Sequence, residues 1–89
     1  MSISHTGIHV TMVGHAIETE SRKIVPIFIT TGKSDKASTY LKQAGYTDIR
    51  LTKLRNKMGR KQATQFLSDA CERQGIPINM DEVRVIDDL

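Results

Sequence analysis

Residues 8–17 alternate in character: Ile8, Val10, Met12 and Ala16 fall on one side, and His9, Thr11, Val13 and His15 on the other. A period of two marks a strand with one buried face. Glu18-Thr19-Glu20-Ser21 is polar and reads as a turn. Residues 23–31 then give a second strand, with Ile24, Val25, Ile27, Phe28 and Ile29 apolar on both faces. The two strands are expected to pair as an antiparallel hairpin. Pro26 has no N–H to give to a ladder, so it should face an open edge or a bulge.

The period changes after Thr31-Gly32-Lys33-Ser34. Ala37, Tyr40, Leu41 and Ala44 recur at helical spacing. Ser34 or Asp35 can cap this helix, and Gly45 stands where a left-handed residue ends one. Residues 49–54 read as a third strand, since Ile49 and Leu51 alternate with Arg50 and Thr52. A helix from Asp48 is the alternative, because Leu51, Leu54 and Met58 also share helical spacing. Residues 55–61 read as a basic loop. A second helix follows over 61–74, with Ala63, Phe66, Leu67, Ala70 and Cys71 on its stripe and Gly75 at its end. Pro77 stops continuation, and residues 82–86 give a short last strand. The two helices match as Ala-x-x-Tyr/Phe-Leu-x-x-Ala, beginning at Ala37 and Ala63, so both are expected to pack on similar sheet surfaces.

The expected fold is therefore α/β (α+β). It is a single two-layer domain of order ββαβαβ, with a four-stranded mixed sheet and two helices on one face. Its core should hold Ile27, Ile29 or Phe28, Leu41, Leu51, Phe66, Leu67 and Val85. The runner-up is a helix-turn-helix domain with an N-terminal hairpin. Its recognition helix would begin near Lys61 and carry Gln62, Gln65 and Asp69 outward.

Length narrows the class. With 89 residues the chain allows one domain, 1–89, with 1–7 and 87–89 expected to be flexible. It is too short for a Rossmann enzyme or a barrel. The single cysteine excludes an intramolecular disulfide and a cysteine-only zinc site. No apolar run approaches the length of a membrane span, and the first residues lack the pattern of a signal peptide. The expected location is cytoplasmic, with no membrane partner.

Candidate chemistry is sparse. His5, His9 and His15 crowd the N-terminus, but on a strand His9 and His15 lie ~20 Å apart, at ~3.3 Å per residue, too far to share a metal ion. Cys71 sits on an apolar helix stripe and reads as a core residue. Residues 27–34 end like a phosphate loop, yet Ile27 stands where its first glycine belongs. Asp81, Glu82, Asp87 and Asp88 gather near the C-terminus without the rigid cleft that a paired-carboxylate site needs. No nucleophile–base pair stands out, so neither an enzyme nor a cofactor is expected.

Charge says more. The formal net charge is only +3, but residues 49–68 carry six cations and no acid, while residues 69–89 carry two cations and six acids. If strands two and three each feed a helix, their loops leave the same edge of the sheet, where open α/β sheets bind ligands. That edge would gather Lys33, Ser34, Arg50, Lys53, Arg55, Lys57, Arg60 and Lys61 beside two helix N-termini, a surface suited to phosphate. The expected function is a small basic nucleic-acid-binding domain, accessory or regulatory, that contacts the phosphate backbone. The alternative is a protein–protein interaction module, or an inhibitor of a larger macromolecular machine, that binds an acidic protein surface. The first strand carries no Lys and no Pro to blunt it. As an outer strand it would offer an edge for a homodimer.

Overall fold

A computed structural model of the protein describes residues 9–30 and 34–87, with Ser34 described by its backbone only. The elements are β1 (His9–Glu18), β2 (Ile24–Ile29), α1 (Ser34–Gln43), β3 (Tyr46–Gly59), α2 (Arg60–Gln74) and β4 (Arg84–Ile86), with a 3-10 turn at Met80–Glu82. The strands form one mixed four-stranded sheet in the order β3-β1-β2-β4. β1 runs antiparallel to both its neighbours, and β2 runs parallel to β4. The element order, the mixed sheet and the two helices agree with the sequence reading. Residues 1–7 and 88–89, expected to be flexible, lie outside the described residues. The carboxylate of Asp87 accepts a hydrogen bond from the hydroxyl of Thr30.

β1 lies inside the sheet, which overturns the expected homodimer through the first strand. Ile17 pairs with Ile24 on one side and with Thr47 on the other. The connection through α1 carries the chain back across the hairpin, so β3 docks on the free edge of β1 and leaves no row there for a partner chain. The sequence of β1 suits this place. Val10, Met12, Val13 and Ala16 are all buried, so both faces are covered. Pro26 is also accommodated, because the ladder to β4 begins one residue later, at Ile27.

The two helices cover opposite faces of the sheet rather than one. Ala37 and Leu41 of α1 pack with Met12, Ile27 and Ile29. Ala63, Leu67 and Cys71 of α2 pack with Val13 and Phe28. Neighbouring residues on a strand point to opposite faces, so these are two cores, one on each side. The cause is the direction of travel. The chain moves one way along the sheet from β2 to β3 and the other way from β3 to β4. Two crossovers of the same hand that travel in opposite directions must place their helices on opposite faces.

Two further expectations change. Residues 55–59 belong to β3 rather than to a loop, and the continuous strand Tyr46–Gly59 excludes the helix-turn-helix. Phe66, expected in the core, is 37% exposed, and Tyr40 is 48% exposed. The helices bury their small and branched positions instead, Ala37 with Leu41 and Ala63 with Leu67. Gly75 ends α2 in the left-handed region, at φ 71°, which only glycine adopts without strain. Among the described residues no helix is long and apolar enough to cross a membrane.

Candidate nucleic-acid interface

β3 is an edge strand. Among the described residues it pairs with β1 alone, and its far side carries an open row of backbone groups. Four of the six cations in residues 49–68 lie on it: Arg50, Lys53, Arg55 and Lys57. The other two, Arg60 and Lys61, open α2. All six are exposed. Alternation separates the first two. Arg50 lines a groove beneath α2 with Thr52 and Leu67, so Lys53, three residues on, projects from the other face.

A wide bulge concentrates the remaining cations. Val10 pairs with Met58 and Met12 with Lys53, so residues 54–57 all lie opposite Thr11. Leu54 turns inward onto Ala63 and Leu67, whereas Arg55, Asn56 and Lys57 are exposed. The bulge also shortens the strip. Arg50 pairs with His15 and Gly59 with His9. Those six steps on β1 span ~20 Å, whereas the nine steps on β3 would span ~30 Å if unbroken.

Little opposes this charge. Arg50 reaches Asp48 at 3.8 Å. Among the described residues Lys53, Arg55, Lys57, Arg60 and Lys61 make no ion pair. Of the acids in the C-terminal segment, Asp69 and Glu72 lie further along α2, and Asp81 and Glu82 lie beside β4, on the opposite edge of the sheet. There Glu82 meets Lys23 at 3.9 Å.

The start of α2 adds to the effect. Its N-cap, Gly59, supplies no side-chain hydrogen bond, and its first turn holds no acid. Unpaired N–H groups, the positive end of the helix dipole and two cations therefore coincide. α1 differs. Its first turn contains Asp35, whose carboxylate accepts from the N–H of Lys36 at 3.0 Å. The two helix starts lie on opposite faces. The strands that feed them also end at different levels: β2 stops pairing at Met12, whereas β3 runs on to His9, a difference of ~10 Å. Ser34 thus begins α1 on the opposite face from α2, and Lys33 lies outside the described residues.

The sequence pattern did not point to a cleft at the far end of α2, of about 330 Å³. His15, Asp48, Arg50 and Gln74 border it, with Ile24 and Ile76 as apolar surface. A narrower groove of about 90 Å³ runs from there toward Thr52, Phe66 and Cys71. Burial, reinforced by the nearby Arg50 guanidinium, holds the His15 imidazole below its ordinary pKa, while Asp48 pulls the other way. Burial pushes the Cys71 thiol up. One residue did hint at this region. A glycine inside a strand marks close backbone approach, and Gly14 lies directly opposite Leu51, next to the His15–Arg50 pair. Among the described residues no three His, Cys, Asp or Glu side chains gather around a potential metal position. No family model, no curated protein and no solved structure matches this chain.

Proposed function

We propose that the protein is a binding domain that holds the phosphate backbone of nucleic acid along the open edge of β3 and the first turn of α2. The observation that carries this is the density of exposed positive charge. Six cations, one of them ion-paired, occupy the strip from Arg50 to Lys61. Phosphates of one strand recur every ~3.4 Å, so ~20 Å of edge spans roughly six of them. Screening over ~8 Å at physiological salt leaves such near neighbours acting together. Contacts of this kind fix register and carry little sequence information.

The test is a salt titration of binding to duplex and single-stranded oligonucleotides, with the parent and with Lys57→Glu, Arg60→Glu and Lys61→Glu combined. Affinity of the parent should fall with salt, with a log–log slope of about −0.9 per duplex phosphate and about −0.7 per single-strand phosphate. The triple variant should lose binding. A parent that binds neither form at low salt, or a variant that binds like the parent, overturns the reading. The open backbone row of β3 favours one second reading, in which the same cations meet an acidic protein that also pairs with this edge.

A further inference from the structure

Phosphate binding along β3 leaves the cleft at the end of α2 without a role, although Arg50 belongs to both. We propose that this cleft receives one unstacked base of a single-stranded nucleic acid whose phosphates follow β3. The proposal rests on the phosphate-binding reading above.

Four observations lead to it. First, the cleft is amphipathic in the way a base requires. Ile24 and Ile76 provide apolar surface, and Asp48, Gln74 and His15 place acceptors and donors around it. A base has apolar faces and a polar edge, and side chains of these types read such edges in single strands. The His15 ring and the Arg50 guanidinium also present planar surfaces for stacking.

Second, the cleft disfavours a bare phosphate. It opens at the carboxyl end of α2, where the helix dipole is negative. Asp48 adds a carboxylate at the rim, 3.8 Å from the Arg50 guanidinium. Both favour exocyclic amino groups. Burial disfavours the charged form of His15, which suits the ring to hydrogen bonding rather than to acting as a cation.

Third, the backbone is bent to make the site. His15 pairs with Arg50 and Ile17 with Thr47, so β3 has one extra residue here. Asp48 lies in that bulge with φ 52°, a left-handed conformation unusual for a residue other than glycine. Bulges redirect side chains, and this one brings Asp48 to the cleft beside Arg50. Fourth, Arg50 joins the two surfaces. It is the first cation of the strip and a wall of the cleft, so a strand on the edge passes the opening. Bases in a duplex are stacked and paired, and enter only at the cost of being flipped out.

The experiment measures affinity for a single-stranded oligonucleotide and for its duplex, using the parent, Gln74→Ala and His15→Ala. Nucleoside 5′-monophosphates are titrated in parallel while the His15 ring signals are followed by NMR. The expected result is a preference for the single strand. Each variant should lose about five-fold or more of that affinity, the loss of one base contact, with its duplex affinity and salt slope unchanged. If single strand and duplex bind alike and both variants match the parent, the inference is overturned and the phosphate reading stands. If the monophosphate moves the His15 signals but the variants bind strands normally, the cleft takes a free nucleotide, and the strand-borne base is excluded. If the parent binds neither strand nor duplex at low salt, both proposals fall. Gln74 is exposed on the last turn of α2, so its variant keeps the test interpretable even where His15→Ala unfolds.

Discussion

Gly14 packs so closely on Arg50 that a β-carbon at Gly14 would stand 1.9 Å from the Arg50 carbonyl oxygen and 2.8 Å from the α-carbon of Leu51. Both obstacles are backbone, and both belong to the strand that β1 must hold. Rotation of a side chain cannot relieve the clash, so the ladder between β1 and β3 must open. Gly14→Ala should therefore destabilise the protein by ~2 kcal/mol or more, at or beyond the usual cost of overpacking. Chemical denaturation measures this, and a midpoint equal to that of the parent would disprove the close approach.

The sequence made most of the elements legible, because each has a local signal. The alternation of β1, the stripes of α1 and α2 and the terminal glycines are all readable one segment at a time. The relation between segments was not. Nothing in a single helix tells which face of the sheet it will cover. That depends on whether successive crossovers travel in the same direction, which is a property of strand order. The matched helices show how far a pattern reaches. The repeat pairs Ala37 with Ala63 and Leu41 with Leu67, all four buried, and it pairs Tyr40 with Phe66, both exposed. These three pairs share an environment, whereas the fourth sets an exposed Ala44 against a half-buried Ala70. An aromatic at the edge of a three-residue stripe still looks like core until the width of the contact is known. The basic strip was legible as charge density, but its geometry was not, since consecutive polar residues in 55–57 look like a loop. The bulge opposite Thr11 lets them remain in a strand.

His15 makes stability depend on pH in a defined direction. Burial, then the Arg50 charge, lowers its pKa from the ordinary 6.5, and Asp48 only partly offsets them. The unfolded chain therefore binds a proton more readily than the folded one in the window just below pH 6.5. Stability rises with pH wherever the unfolded state holds more protons. The contribution is complete above 6.5 and is lost as the pH falls through the folded value. Denaturation of the parent and of His15→Gln across this range should give a difference curve in which the parent gains stability with rising pH. The other histidines remain in both proteins and cancel. A flat difference curve, or one of opposite slope, would show that His15 is not desolvated.

The first turn of α2 separates binding from folding most cleanly, because the two should respond with opposite sign. Arg60 and Lys61 sit at the positive end of the helix dipole, with no acid in the turn and no side-chain cap from Gly59. Lys57 stands close by in sequence and adds like charge. Each cation is therefore unfavourably placed for the helix itself. Arg60→Glu with Lys61→Glu replaces two unfavourable interactions by two favourable ones, each worth about 0.3–1 kcal/mol. For a domain of this size each kcal/mol moves the melting temperature by ~4–8 °C, so the double variant should melt several degrees higher than the parent. On the phosphate-binding proposal, its affinity for oligonucleotides should fall at the same time, since two cations are replaced by repelling carboxylates. A thermal melt beside a binding titration reads both. A variant that binds less but also melts lower would point to damage at the start of α2 instead, and its lost affinity could not then be credited to the two cations.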